Sequence, residues 1–198
     1  MMPHAPRGRL IVVSGPSGAG KTTVLEQLLH RCGLPLVRSV SATTRPPRPG
    51  ETDGLDYHFL TPLEFQRRRL SGEFLECFDV FRSGVWYGTL LSETTARLEA
   101  GQWVLLNIDV QGAQAVMDRY PDAITIFVHP GSLEELRGRL IGRGTESQQA
   151  LEQRLQQAHS ELGLAHRYRY QVVNDDLARA VRQICDILTN QWEIDRND

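Results

Sequence analysis

Hydrophobic and polar positions alternate along this chain in two rhythms. Leu10-Ile11-Val12-Val13 is a short unbroken apolar run of the kind a buried strand needs, and Val24, Leu25, Leu28 and Leu29 then recur at helical spacing. Leu36-Val37-Arg38-Ser39-Val40 and Tyr57-His58-Phe59-Leu60 read as short strands. Thr61-Pro62-Leu63-Glu64 is a capping box with proline at the first helical position, predicting a helix from Pro62 to about Ser71 that Gly72 stops. Phe74 to Phe81 has strand composition, with Glu76 and Asp79 on opposite faces. Ser92 is expected to cap a helix ending at Gly101. Trp103 to Asp109 reads as a buried strand ending in polar residues, followed by a short helix from Gly112 to Tyr120 and a strand from Ala123 to Val128. Ser132-Leu133-Glu134-Glu135 is a second capping box, opening a helix to about Ile141. A polar helix after Thr145 places Leu151, Leu155, Ala158 and Leu162 on one stripe. Gln171 to Asn174 is the last strand, and Leu177, Val181, Ile184 and Leu188 define the closing helix.

Strands alternating with helices predict an α/β fold: a parallel sheet covered on both faces, with ligands gathered at the carboxyl ends of the strands. Gly15, Asn107, Asp109 and His129 all fall at such ends. The pattern breaks in three places. Three prolines and a glycine in Ser41 to Glu51 exclude regular structure there, Arg82 to Thr89 is a turn-rich connection, and Gly142-Arg143-Gly144-Thr145 separates two helices. Ser41 to about Thr89 is therefore expected to be a small mixed insertion between pieces of the main sheet.

At 198 residues the chain fits one main domain. A net charge of -2 gives no bulk attraction to nucleic acid or membranes, so no such partner is expected and an anionic ligand must be held by a local basic cluster. Cys32, Cys77 and Cys185 are odd in number and far apart, which argues against a disulfide framework or cysteine zinc site and suits a reducing, cytoplasmic setting. The six histidines form no metal-binding spacing. The first nine residues hold no apolar core of the signal-peptide kind and are expected to be disordered.

The chemistry begins at Gly15-Pro16-Ser17-Gly18-Ala19-Gly20-Lys21-Thr22, between a strand and a helix. In that context the loop aims successive N–H groups inward, the helix terminus adds positive potential, Lys21 reaches the β- and γ-phosphates of a triphosphate and the Thr22 hydroxyl meets Mg²⁺. Arg45 and Arg48 stand in a proline-stiffened segment that suits a phosphate clamp, although two arginines alone favour a solvated basic loop. Arg139, Arg143 and Arg154 sit on the glycine-hinged helical pair, either as a mobile cover or as ordinary surface charges.

These blocks, taken in order, resemble the guanylate kinase family. They are SGPSGAGK in the loop, Ser39 to Arg45, Arg48-Pro49-Gly50-Glu51, Gly54 to Tyr57, Gly72 to Glu76, Tyr87-Gly88-Thr89, Ile108 to Gly112, Gly142 to Thr145 and Val173 to Asp176. The resemblance implies a P-loop NTPase fold: a parallel sheet flanked by helices, a small mixed α/β GMP-binding insertion and a helical lid. Its divisions are core over 1–40, 91–131 and 164–198, insertion over 41–90 and lid over 132–163. The implied reaction is transfer of the ATP γ-phosphoryl group to GMP or dGMP with Mg²⁺. The residues it implies for ATP are Gly15 through Thr22, Thr23, Arg139 and Asn174, the last near the adenine. For GMP they are Arg45, Arg48, Tyr57 and Tyr87 at the phosphate, Ser41, Glu76 and Thr89 at the guanine, and Asp109. Lys21, Arg45, Arg143 and Arg154 carry the catalytic charge stabilisation, and Thr22 serves Mg²⁺ largely through water and the ATP phosphates.

Two alternatives are weighed. A scaffold-type binding module would lose loop and lid groups, whereas Lys21, Thr22, Arg143 and Arg154 are present; a ribose bisphosphate kinase would have no use for Ser41, Glu76 and Thr89. Two departures stand out. Asn107 replaces the family's usual first aspartate in Asn107-Ile108-Asp109, which predicts weaker use of Mg²⁺. The Arg82 to Trp86 segment is about two residues longer than usual, with Trp86 in place of the first of a tyrosine pair. Monomer and homo-oligomer remain equally open.

Overall fold

A computed structural model of the chain describes residues 8–80, 84–141 and 148–197. Arg82, Ser83 and the Gly142 to Thr145 break, Arg143 included, lie outside the described residues. The chain runs β1 (Arg9–Ser14), α1 (Lys21–Arg31) and β2 (Leu36–Arg38), then β3 (Ser41–Thr43), β4 (His58–Phe59), α2 (Pro62–Leu70), β5 (Phe74–Val80) and β6 (Val85–Leu90). It continues with α3 (Leu91–Glu99), β7 (Trp103–Asn107), α4 (Val110–Arg119), β8 (Ile124–His129), α5 (Leu133–Ile141) and α6 (Gln148–Leu162), and closes with β9 (Tyr170–Val173) and α7 (Leu177–Asn197).

Five strands form a parallel sheet in the order β2-β7-β1-β8-β9. Central β1 shows why its sequence is apolar throughout. Ile11 and Val13 pack with Val24, Leu25 and Leu28 of α1 and Ala180, Val181, Ile184 and Leu188 of α7. Leu10 and Val12 face the other way, onto Val110, Ala113 and Val116 of α4. Both sides of the strand are buried, and each aliphatic side chain so covered contributes about 1.5–3 kcal/mol.

The smaller sheet has the order β4-β3-β6-β5, with β3 parallel to β4 and antiparallel to β6. One of its faces packs Ala42, Phe65, Phe74 and Leu90 into a separate core, with Cys77 and Trp86 against it. Strict alternation would place Phe74 and Glu76 on the same side. A register shift between them in β5 changes the parity, so Phe74 enters that core, Leu75 joins the main-sheet core and Glu76 faces the opposite side.

Several boundaries differ from the sequence reading. Ser41 to Thr43 is strand β3, because the prolines begin only at Pro46. Val85 to Leu90 is strand rather than turn; Gly84, with φ of 76°, makes the turn before it. Ser92 does not cap α3, which begins at Leu91 directly from β6 with no side-chain cap. Asp109 caps α4 two residues earlier than expected, accepting the Gly112 N–H at 2.8 Å. Leu177 is exposed while Val181, Ile184 and Leu188 are buried. Arg9, expected to be disordered, belongs to β1 and pairs with Asp195 of α7. The Thr61 and Ser132 caps form as read, accepting the N–H groups of Glu64 and Glu135 at 3.2 and 3.1 Å. No described helix is long and apolar enough to cross a membrane.

Candidate active site

The carboxyl end of β1 runs into the glycine loop, and the loop's shape is set by what surrounds it. Gly15 has φ of 141°, and a Cβ there would lie 1.9 Å from the Val128 carbonyl oxygen of β8, so no larger residue fits. Lys21 opens α1, and its Nζ donates back across the loop to the carbonyls of Gly15 at 2.6 Å and Pro16 at 3.0 Å. The loop is braced from outside. Asn174 Nδ2 donates to the Ala19 carbonyl at 2.8 Å, Arg139 Nη1 donates to the same oxygen at 3.4 Å, and Arg139 also donates to the Asn174 carbonyl. Thr22 is the first-turn hydroxyl of α1, and Asn107 Nδ2, at the end of β7, lies 3.5 Å from its Oγ1.

Across from the loop stands the small sheet. Cross-strand register aligns Ser41, Thr89 and Glu76 in one row, with Tyr87 and Phe78 in the next. The cleft between is lined by Gly15, Ser17, Lys21 and Thr22, by Ser41, Arg48, Tyr57, Glu76, Phe78 and Tyr87, by Asn107 and Asp109, and by Arg154, Gln157 and Glu161 of α6. Its volume is about 310 Å³. Tyr87 faces this cleft and Trp86 faces Phe65 on the other side of β6, with ring centroids 5.9 Å apart.

Glu76 is 5% exposed. Its Oε1 accepts the Thr89 hydroxyl at 2.8 Å, while Oε2 finds no hydrogen-bond partner among the described residues. Burial pushes its carboxyl up to about 7, the Asp109 charge adds to the shift, and the Thr89 hydroxyl opposes it. Asp109 is raised to about 6, again by burial first, with the Gly112 N–H pulling the other way. Burial also raises Glu161, whose carboxylate accepts Gln157 Nε2 at 2.7 Å. Three acids that burial makes reluctant to ionise thus share one cleft with Lys21, a setting that favours a ligand bringing its own hydrogen-bond donors and cations.

Arg45 stands just behind the lining. Glu51 grips its guanidinium with both oxygens, at 2.8 and 2.9 Å, and holds it charged by raising its pKa; the same contact lowers the Glu51 carboxyl to about 2. Arg45 Nε donates to the Tyr87 hydroxyl at 3.2 Å, and the guanidinium lies 5.3 Å from the Tyr57 ring centre.

The cleft therefore brings together Gly15, Ser17, Lys21, Thr22, Ser41, Arg48, Tyr57, Glu76, Tyr87, Asp109 and Arg154. Thr89 lies beneath Glu76, and Thr23, Arg45, Arg139 and Asn174 stand outside the lining. The sequence reading gave no role to Glu51, named only as the end of a block, nor to Phe78, Gln157 and Glu161. Spacing held the signal for three of them: Phe78 is two residues from Glu76 on a strand, and Gln157 and Glu161 share a helical face with Arg154. Nothing in the spacing singles out Glu51.

The sequence model of the guanylate kinase family matches residues 7–191. A guanylate kinase of Rhodopirellula baltica is 55% identical over 185 residues, covering 93% of this chain and 88% of its own length. One from Symbiobacterium thermophilum is 49% identical over 191 residues, covering 94% of this chain and 87% of its own. The crystal structure of guanylate kinase from Anaplasma phagocytophilum superposes with a TM-score of 0.77 at 34% identity, over 94% of this chain and 87% of that one.

Proposed function

The chain belongs to the guanylate kinase family and is an ATP:GMP phosphotransferase, and from that premise we propose that the Gly15 to Thr22 loop takes the ATP phosphates while the small sheet holds GMP, with Glu76 reading the base. The observation that carries this reading is the buried, half-satisfied Glu76 carboxylate, Oε1 fixed by Thr89 and Oε2 without a partner among the described residues. Guanine presents N1–H and the N2 amino group side by side, which a carboxylate can accept together. Adenine has an acceptor at N1, so AMP would leave the buried oxygen unpaired, a mismatch worth on the order of 10⁴–10⁵ in selectivity. Ser41 stands in the same cross-strand row. dGMP, with the same base and phosphate, is the second acceptor.

The reaction needs alignment and charge neutralisation more than proton transfer. A phosphomonoester's second pKa is about 6, so the attacking oxygen of GMP arrives largely ionised and no protein base is required. Arg48, Tyr57 and Tyr87 hold the acceptor phosphate, with Arg45 behind them. Lys21, Arg154 and Arg143 balance the transferring phosphoryl group, and Asp109 bounds the acceptor side. Arg139 and Asn174 keep the loop in shape beneath the ATP.

The side chains at the loop and the adjoining strand end suit Mg²⁺: the Thr22 hydroxyl, the Asn107 amide beside it and the Asp109 carboxyl two residues on. Thr22, Asn107 and Asp109 would hold Mg²⁺ there with ATP, and the ion would supply neutralisation of phosphate charge. An amide at Asn107 offers that ion less attraction than a carboxylate would. The core, insertion and lid divide the chain at 1–40, 41–90, 91–131, 132–163 and 164–198, and the enzyme works in the cytoplasm.

A coupled assay of ADP release with GMP, dGMP, AMP and ribose bisphosphate, titrated with Mg²⁺ for the natural chain and Asn107→Asp, tests the reading. Turnover is expected with GMP and dGMP alone, and Asn107→Asp should reach half-maximal rate at lower Mg²⁺. Turnover with AMP equal to that with GMP would remove Glu76 from its role; an unchanged Mg²⁺ response would remove Asn107 from its own.

A further inference from the structure

Arg48-Pro49-Gly50-Glu51 closes as a β-turn. Proline stands at its second position, Gly50 at its third with φ of +88°, and the Glu51 N–H donates to the Arg48 carbonyl at 3.0 Å. The turn brings the Glu51 side chain back over its own start, where Oε2 accepts the Arg48 N–H at 2.7 Å. From there the carboxylate spans Arg45 through Nη1 and Nη2. Arg45 also gives Nη1 to the Pro46 carbonyl at 2.7 Å and Nε to the Tyr87 hydroxyl. Four hydrogen bonds from its five N–H groups are thus made within the protein. A Tyr87 hydroxyl that accepts from Arg45 has its own proton left to donate, and Tyr87 lines the cleft.

We propose that Glu51 is a positioning residue for the acceptor phosphate: it fixes Arg45 as a strut, Arg45 aims the Tyr87 hydroxyl, and the same carboxylate sets the backbone from which Arg48 reaches into the cleft. The inference rests on the reading of this cleft wall as the site of the GMP phosphate. Direct contact with that phosphate then falls chiefly to Arg48 and the Tyr57 and Tyr87 hydroxyls.

Charge and position predict opposite signs, which makes the proposal easy to test. If Glu51 acted only as a negative charge near a phosphate dianion, Glu51→Gln would relieve repulsion and tighten GMP. Positioning predicts that GMP weakens, because an amide cannot accept from both ends of the Arg45 fork while also holding the Arg48 N–H.

The experiment measures KM for GMP and for ATP, and the binding of GMP and of guanosine by calorimetry, in the full chain and in Glu51→Gln, Arg45→Ala, their double variant and Arg48→Ala. Expected for Glu51→Gln is a rise in the GMP KM of about tenfold, the size of one lost charge-assisted hydrogen bond, with the ATP KM and guanosine affinity unchanged. In the Arg45→Ala background the same change should cost clearly less, since its main partner is gone. Tighter GMP binding in Glu51→Gln, equal loss of guanosine binding, or full additivity with Arg45→Ala would overturn the proposal. If Arg45→Ala weakens GMP and Glu51→Gln does not, Glu51 alone loses its role; if the two single variants and Arg48→Ala all leave GMP untouched, the placement of the phosphate fails with it.

Discussion

At the scale of single residues, Glu76 sets two demands against each other. Its folded value of about 7 stands above the usual 4.5, so the folded protein holds a proton that the unfolded chain releases between those pH values. Stability contributed by this group is therefore lost as pH rises through that window, a cost on the order of 3 kcal/mol at pH 8. Guanine recognition runs the other way, since the carboxylate must be ionised to accept. Accordingly kcat/KM for GMP should fall about tenfold from pH 7 to pH 6, the slope of a single essential ionisation, and more steeply below, where the GMP phosphate also takes up a proton. Glu76→Gln should melt several degrees higher than the natural chain at pH 8 and equally at pH 4.5, while losing its preference for GMP over AMP. Scanning calorimetry at the two pH values and a two-substrate assay check both halves. Among individual residues, Lys21 was placed at the cleft by its strand–loop–helix pattern, whereas Glu76 and Arg48 were placed there only through the ordered blocks of the resemblance. Glu51 was given no role, because its partners are fixed by a turn closure and a neighbouring strand that no spacing rule reports.

Elements decide which residues can meet. Helix α4 approaches β5 so closely that a Cβ on Gly112 would lie 2.6 Å from Glu76 Oε2 and 2.9 Å from Phe78 Cε1. Gly112 stands in the first turn of α4, and the atoms an alanine would meet are the ends of two side chains, so the collision is relieved by displacing Glu76 and Phe78. Gly112→Ala should therefore keep its melting temperature yet raise the KM for GMP about tenfold, the scale of one hydrogen bond misplaced, with the KM for ATP unmoved. Steady-state kinetics with each substrate varied separately would show it. Strands β1, β7 and β8 of the main sheet were readable in the sequence because both faces are buried and the apolar runs are unbroken. β3 and β6 were obscured: β3 is three residues long beside a proline cluster, and β6 contains Gly88 where Cys77 and the Glu76 carbonyl of β5 press close. The parity change in β5 depends on its pairing with β6, so it too lay beyond sequence patterning.

At the largest scale, among the described residues, the buried apolar side chains of the main sheet and of the acceptor side gather in separate clusters, with a further one between α5 and α6. The main sheet has cores on both faces, whereas the acceptor side rests on the small cluster around Phe65 and Phe74, whose rings stack at 4.5 Å. Phe65→Ala and Leu25→Ala remove comparable buried groups, each costing about 2–5 kcal/mol. Their functional signatures should differ: Phe65→Ala raises the KM for GMP first, and Leu25→Ala lowers global stability with both KM values preserved below the transition. Urea melts read alongside kinetics would separate them, and identical effects on both substrates would mean that the two assemblies yield together. The Ala19 carbonyl, braced by Asn174 and Arg139, carries one more consequence. A ribosome makes residue 19 well before residue 174, and β1 itself waits for β7 and β8 on either side. The nucleotide loop is thus translated 155 residues ahead of the asparagine that braces it, so a nascent chain completes the support of its triphosphate site only after that later strand end has been made.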